Sequence, residues 1–169
     1  MVTEKLSTER LELSLLKNED AVFIEELVNT EGWLKFIGDR NIHCISDAES
    51  YIQKITDNPD IHYWVIRTKE IQTPTGVISF IKRDYLQHWD IGFALLPNTM
   101  GKGYASEATI KILKHYAVTG NHQQFLATVM SSNTSSVKLL EKLGLRFEKE
   151  ITVEERPLML FSAVSEIFK

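Results

Sequence analysis

Leu96-Pro97-Asn98-Thr99-Met100-Gly101-Lys102-Gly103-Tyr104-Ala105 is the stretch on which the reading of this chain turns. Before it, Asp90 to Leu96 is almost wholly apolar, with Ile91, Phe93, Ala94, Leu95 and Leu96. That pattern predicts a central strand covered on both faces. After it, Ala105, Ala108, Ile112, Leu113 and Tyr116 recur at helical spacing to about Thr119. The stretch is therefore a strand, a short glycine loop and a helix start. Two glycines one residue apart let the backbone come close to a ligand. The first turn of a helix offers free N–H groups and a partial positive charge, which suit phosphate. Lys102 adds charge at the rim. Glycine is also common in ordinary strand-to-helix turns, so Gly-x-Gly alone leaves ligand binding open. A P-loop is excluded because no Gly-Lys-Ser/Thr follows at the needed spacing. A dinucleotide fingerprint is excluded because the third glycine is missing and the strand comes late.

Upstream of the loop, Arg10 to Leu15 alternates polar and apolar residues, which predicts a half-buried strand. Asn18 is expected to cap a helix reaching about Thr30, with Ala21, Ile24, Leu27 and Val28 inside. Ser46 and Glu49 have capping-box spacing before a second helix that ends ahead of Asn58-Pro59. Strands are expected at Tyr63 to Ile66, Gly76 to Ile81 and Asp90 to Leu96, with a turn at Gln72 to Thr75. Downstream, Phe125 to Met130 reads as a strand. Asn133 caps a helix carrying Val137, Leu140 and Leu143, which stops at Gly144 with Leu145 placed for a Schellman contact. Two strands follow, over Arg146 to Glu150 and Leu158 to Val164. The expected order, β-α-α-β-β-β-α-β-α-β-β, describes an α/β sheet with helices on both faces.

Bulk properties narrow the classes. The chain has 169 residues, 43% hydrophobic and 25% charged, which suits one domain over residues 1–169. A net charge of −4 argues against a nucleic-acid partner. No run approaches the roughly 20 apolar residues that span a bilayer, and no signal peptide opens the chain, so a cytoplasmic location is expected. The lone Cys44 rules out an internal disulfide and reads as a small apolar filler. No metal-ligand pattern is present.

Further motifs accompany the loop. They are Thr8-Glu9-Arg10-Leu11-Glu12-Leu13, Asp90-Ile91-Gly92-Phe93, Gly101-Lys102-Gly103-Tyr104-Ala105-Ser106-Glu107-Ala108, and Asn133-x-x-Ser136 through Glu141-Lys142-Leu143-Gly144. With these four in order over nearly its whole length, the chain resembles the GCN5-related N-acetyltransferases (GNAT). Within them it is similar to the subgroup that modifies ribosomal-protein N-termini.

The resemblance implies a mixed, mostly antiparallel sheet of about seven strands in which two central parallel strands splay apart. It implies acetyl-coenzyme A as cosubstrate, no metal, an amine acceptor, and a monomer or homodimer. The coenzyme's pantetheine arm would lie between the strand at Phe93-Ala94-Leu95 and the strand ending at Met130. Backbone of Phe93 and Leu95 would pair with its amides. The N–H groups of Met100, Gly101, Lys102, Gly103, Tyr104 and Ala105 would hold its diphosphate. Asn133 would approach the arm and Ser136 the sulfur. The sequence departs from the family at Asn98, where Gln or Arg is frequent, and at Met100, where Trp or another bulky residue is usual. It departs again at Leu140, where many relatives carry a tyrosine acid.

Acetyl transfer requires a deprotonated amine, a stabilised oxyanion and a stabilised thiolate. Asp90 is the candidate base, acting through water; an exposed strand-end aspartate is the plain alternative. His88 and His62 are rival bases. Backbone N–H of Ala94 or Leu95 is the candidate oxyanion donor. The thiolate needs little help, and the Ser136 hydroxyl is the candidate group beside the sulfur. Trp33 in the segment Glu31 to His43, together with Tyr85 and His88, would border the acceptor. Ordinary aromatic packing competes with that role for Trp33. The rival function is the same fold binding acyl-CoA as a sensor without chemistry.

Overall fold

The computed structural model describes residues 4–169. Its strands are β1 (Lys5–Ser7), β2 (Leu11–Leu15), β3 (Ile61–Thr68), β4 (Pro74–Ile81), β5 (Asp90–Leu95), β6 (Gln124–Val129), β7 (Arg146–Val153) and β8 (Arg156–Val164). The helices are α1 (Ala21–Val28), α2 (Glu31–Phe36), α3 (Ile45–Thr56), α4 (Tyr104–Thr119) and α5 (Thr134–Leu143). The eight strands form one sheet in the order β1-β2-β3-β4-β5-β6-β8-β7. Every neighbouring pair is antiparallel except β5–β6.

Both faces of the sheet are apolar, and each is closed by helices. On one face Trp64, Ile66, Ile78, Phe80 and Ile91 pack with Ala108, Ile112 and Leu113 of α4 and Leu140 and Leu143 of α5. On the other, Tyr63, Val65 and Val77 pack with Phe23, Ile24 and Leu27 of α1 and Ile52 and Ile55 of α3. Apolar residues at alternate positions on both sides of β3 and β4 demand this two-layer cover.

Several local expectations are corrected. Asn18 does not cap α1; the Asp20 carboxylate accepts the Lys17 N–H at 2.9 Å instead. α3 starts after Cys44, and Asp47 rather than Ser46 takes the free amide, that of His43, at 2.9 Å. Cys44 is exposed, not a filler. α2, capped by Thr30, stands as its own helix within the segment expected to border the acceptor. The short β1 brings the count to eight. The hairpin β7–β8 is longer than its alternation suggested. Its turn residues Glu154 and Glu155 both have positive φ, a conformation glutamate gives no sequence signal for. At the end of α5 the Schellman motif is present: Leu145 N–H to Leu140 C=O at 3.0 Å and Gly144 N–H to Glu141 C=O at 3.1 Å.

At β5 the cover expected from the apolar run is corrected, while the splay of two central parallel strands that the resemblance implied is present. The strand is not covered along its length, because Gly92 to Leu95 are only half-buried. β5 runs beside β4 from Gly76↔Leu95 to Ile81↔Asp90, and β6 runs beside β8 from Gln124 to Val129. Between β5 and β6 only Asp90↔Leu126 is in register, with the Leu126 N–H on the Trp89 carbonyl at 2.9 Å. Gly76 holds β5 tightly to β4. A Cβ there would fall 2.4 Å from the Ala94 oxygen and 2.4 Å from Leu95 Cδ2. Each half of the sheet keeps its own partner, and the centre opens.

Candidate active site

The opening has a chemically distinct wall. Along a strand, backbone polar groups alternate sides. The Leu96 N–H goes to Thr75 of the β4 side, and the Trp89 carbonyl goes to β6. Asp90, Gly92, Ala94 and Leu96 therefore spend their main-chain groups on β4. Ile91, Phe93 and Leu95 turn theirs into the gap. This corrects the expectation for Ala94, whose amide belongs to the β4 ladder; Leu95 is the donor left on the open side.

At the carboxyl end of β5 the chain passes through Pro97–Thr99 and the glycine loop into α4. Gly101 and Gly103 have φ +77 and +82, the left-handed region that glycine enters without strain. Among the described residues, no backbone or side-chain group accepts from the amides of residues 101 to 105; the first bond of α4 is Glu107 N–H to Gly103 C=O at 3.1 Å. Main-chain N–H groups in this setting form an anion-binding concavity at a helix N-terminus. A Cβ on Gly101 would meet no protein atom within 4 Å, so the concavity faces open space. Met100 is exposed at its edge, but its amide donates to the Pro97 carbonyl at 3.4 Å, which corrects the expectation that Met100 is one of the free donors.

Across the gap, after β6, Asn133 caps α5. Its Oδ1 accepts the Ser136 N–H at 3.3 Å. Ser136 is half-buried, and its side chain is free of that cap. Leu140 is buried in the core beneath α5.

At the closed end of the gap stands Asp90. It is buried, 3% exposed, which discards the exposed strand-end alternative. Its Oδ2 accepts Arg83 Nε at 2.7 Å, and its Oδ1 has no hydrogen-bond partner among the described residues. Burial pushes the Asp90 carboxyl above the usual aspartate range; the charge and hydrogen bond of Arg83, and the nearby Thr128 amide, offset only part of that. Arg83 was not foreseen. It lies in the β4–β5 connection, two residues past Ile81, which pairs with Asp90. An antiparallel register drawn for that hairpin is the signal that could have found it.

Two phenols, Tyr63 and Tyr85, lie within electrostatic reach of Arg83. Tyr85 is exposed, and its pKa is raised by burial and by the charges of Asp90 and Glu154, with Arg83 opposing. The hydroxyls of Tyr51 and Tyr63 are 3.4 Å apart. Trp33 is buried in the α1–α3 core. Its indole N–H has no partner among the described residues, and the Arg40 guanidinium lies 5.9 Å from its ring. Arg156, opening β8, reaches the carbonyls of Phe36 and Ile37 at 3.3 and 3.4 Å and Met130 Sδ at 3.1 Å. It thereby ties the end of α2 to the end of β6.

His62 falls elsewhere. His62 Nδ1 is 2.6 Å from the Tyr116 hydroxyl, inside an aromatic cluster with Phe80 and Trp89. His88 lies within electrostatic reach of His122 in that same cluster. No group of three or more His, Cys, Asp or Glu among the described residues could hold a metal ion. No described helix is long and apolar enough to cross a membrane.

Comparison with known proteins agrees with this fold. The p20 protein of Bacillus licheniformis, an uncharacterised N-acetyltransferase, is 32% identical over 151 residues, covering 87% of this chain and 84% of that protein. YnaD of Bacillus subtilis, likewise an uncharacterised N-acetyltransferase, is 27% identical over 144 residues, covering 85% and 83%. Among solved structures, a GNAT-family acetyltransferase from Bacillus anthracis superposes with a TM-score of 0.81 at 22% identity, over 96% of this chain and 99% of that one. RimL, a ribosomal L7/L12 alpha-N-protein acetyltransferase solved with coenzyme A, superposes with a TM-score of 0.84 at 16% identity, over 95% and 98%. A spermidine N-acetyltransferase from Vibrio cholerae, solved with CoA and spermine, gives 0.82 at 17% identity, over 95% and 99%. The family model described as acetyltransferase (GNAT) domain matches residues 10–146. With most of its length matched by that family and a relative at 32% identity, the chain belongs to the GNAT acetyltransferases.

Proposed function

We propose that residues 1–169 act as one acetyltransferase unit that moves the acetyl group of acetyl-CoA onto a primary amine, either a peptide N-terminus or a small-molecule amine. The observation that carries the reading is the continuity of the gap. Unpaired backbone of Phe93 and Leu95 leads at one end to the free amides of residues 101 to 105. At the other it leads to a buried carboxylate with one unpartnered oxygen. The donor set suits a ligand with amide groups along an arm and a diphosphate at its end. Neighbouring folds solved with coenzyme A support it.

Each residue then has a chemical task. The loop amides of residues 101 to 105 take the diphosphate. Phe93 and Leu95 fix the arm in the gap, and the Leu95 N–H is available to the acetyl oxygen as negative charge develops there. Asp90 Oδ1 accepts the proton of the incoming ammonium through water; its raised pKa makes it a better base near neutral pH than an exposed aspartate. The freed nitrogen lone pair bonds to the acetyl carbon as the carbon–sulfur bond breaks, and the nitrogen's second proton passes to the leaving thiolate, directly or through water. Ser136 Oγ donates to the departing sulfur. Tyr85, and Trp33 through the packing of α2, border the acceptor side. His62 lies in the aromatic cluster and takes no part, whereas His88, two residues before Asp90, borders the acceptor side with Tyr85. The location of this activity is proposed to be the cytoplasm.

The test is acetyl-CoA-dependent release of free thiol with a panel of peptides, polyamines and aminoglycosides. Turnover on at least one amine class supports the reading. Buried Leu140, where many relatives carry an acid, favours the sensor alternative in one outcome. That outcome is tight acetyl-CoA binding with no turnover on any amine. Failure of acetyl-CoA to raise the melting temperature would overturn both readings.

A further inference from the structure

We propose that Arg10 is a positioning residue for the coenzyme's diphosphate, acting through the Lys102–Gly103 peptide; the inference rests on the acetyl-CoA reading above. Arg10 lies just before β2, 92 residues from Lys102 in sequence. Its Nη1 donates to the Lys102 carbonyl at 2.8 Å. Its Nε donates to Glu107 Oε2 at 2.7 Å, and its backbone N–H to Glu107 Oε1 at 3.0 Å. The guanidinium carbon stands 4.9 Å from the centre of the Tyr104 ring. Thr8 Oγ1 donates to Glu107 Oε1 at 2.6 Å. One arginine therefore touches the loop, the first turn of α4 and the carboxylate that α4 carries there.

Two physical consequences follow. First, the carbonyl and the N–H of one trans peptide unit point in opposite directions. By drawing the Lys102 carbonyl toward itself, Arg10 turns the Gly103 N–H away, toward the open side of the loop. It also keeps that carbonyl, an acceptor, from facing an anion. Glycine at 103 makes the approach possible. Its φ is +82, and a Cβ would sit 3.2 Å from Arg10 Nη2. Second, Glu107 lies in the first turn of α4, where its negative charge would oppose a diphosphate on the same helix terminus. The ion pair with Arg10 and the Thr8 hydroxyl hold that charge back and partly cancel it.

A structural staple between the start of β2 and α4 would give the same contacts without caring which ligand binds. Ligands that differ only in the diphosphate separate the two. Coenzyme A titrated calorimetrically into Arg10→Ala is expected to bind about tenfold more weakly than into the parent, the loss of one or two charge-assisted contacts. The KM for S-acetylpantetheine, which lacks the diphosphate, is expected to stay the same. Arg10→Lys, which keeps the charge but cannot span both the carbonyl and the carboxylate, is expected to fall between. In the ligand-free protein the Gly103 amide resonance is expected to move in Arg10→Ala. An undiminished affinity for coenzyme A, or an equal loss with both ligands, overturns the proposal. If the unsubstituted protein itself ignores coenzyme A, the acetyl-CoA reading falls and takes this inference with it.

Discussion

Arg83 Nε donates to Asp90 Oδ2 at 2.7 Å, leaving Oδ1 of a fully enclosed carboxylate as the one acceptor at the closed end of the β5–β6 gap with nothing bound to it among the described residues. Burial raises the Asp90 pKa and Arg83 restrains the rise. Asp90 must be ionised to take a proton, so kcat/KM should climb as pH rises through that raised pKa. Asp90→Asn should lower kcat about 10²- to 10⁴-fold, the range for losing a general base. Arg83→Met removes the restraint and should move the rising limb to higher pH. A pH–rate profile for the two variants checks both. An Asp90→Asn enzyme with parental kcat would remove Asp90 from the chemistry.

The same shift has a stability side. A carboxyl whose folded pKa lies above its unfolded value favours folding while protonated, and that benefit disappears as pH rises through the folded pKa. At neutral pH the ionised Asp90 is carried at a cost. Asp90→Asn keeps an oxygen that can accept from Arg83 Nε, and the Arg83 side chain is 35% exposed, so water can serve its other donors. The variant should therefore be destabilised by about 1–3 kcal/mol at pH 7, the cost of a buried amide N–H left without a partner, rather than by the larger loss of a fully buried ion pair. Calorimetric melting tests this, and a large loss would mean the pair holds the hairpin together.

Gly101→Ala separates fold from ligand. The added methyl meets no protein atom within 4 Å, and the cost of alanine at φ +77 is about 1 kcal/mol. The methyl stands where the loop amides face outward. Melting should change little while coenzyme A binding weakens severalfold. Parental affinity in titration would place the diphosphate elsewhere.

Ser136 carries two roles on different atoms. Its N–H is the one capped by Asn133, and its hydroxyl is free of the cap. Ser136→Ala should therefore keep α5 and the affinity for acetyl-CoA, yet lower turnover. Equal kcat in the two proteins would discard the hydroxyl. Asn133→Ala should instead cost about 1 kcal/mol of stability through the lost cap, seen as a lower melting temperature.

What was legible in the sequence is what local chemistry encodes. The glycine loop, the Asn133 cap and the Gly144 stop are each settled by neighbours within six residues, so they read directly. The apolar run at Ile91 to Leu96 was legible as a central strand. Its half-open face was not legible in the run itself, because a gap is a property of how β5 and β6 choose partners on opposite sides; the family resemblance implied the splay. Arg83 in Lys82-Arg83-Asp84 looks like solvated loop charge until the β4–β5 register folds it back on Asp90. Thr8 and Arg10 stood in a familiar opening motif, but their contact with Glu107 spans 99 and 97 residues and needs the tertiary fold. The short β1 and α2 hold too few residues to show a period.

The aromatic cluster around Tyr116 gives the last expectation. The Tyr116 hydroxyl lies 2.6 Å from His62 Nδ1 and accepts Trp64 Nε1 at 3.1 Å. His115 and His122 pack on the Tyr116 ring at 5.0 and 6.0 Å between centroids. Burial lowers the pKa of His62, His115 and His122, and neighbouring cations (Lys111 and His62 for His115; His62 and His88 for His122) add to the depression in the latter two. A histidine depressed in the fold binds fewer protons there than in the unfolded chain. Its contribution is complete above the unfolded pKa of about 6.5 and is lost as pH falls below it. The melting temperature should therefore drop between about pH 7.5 and pH 5.5, and less steeply in His62→Gln. Tyr116→Phe leaves the buried Trp64 N–H unpaired and should cost about 1–3 kcal/mol at any pH in that range. A melting temperature flat across the window in the parent would show that the cluster tolerates the charge, and that its packing, not its protonation, is what the fold needs.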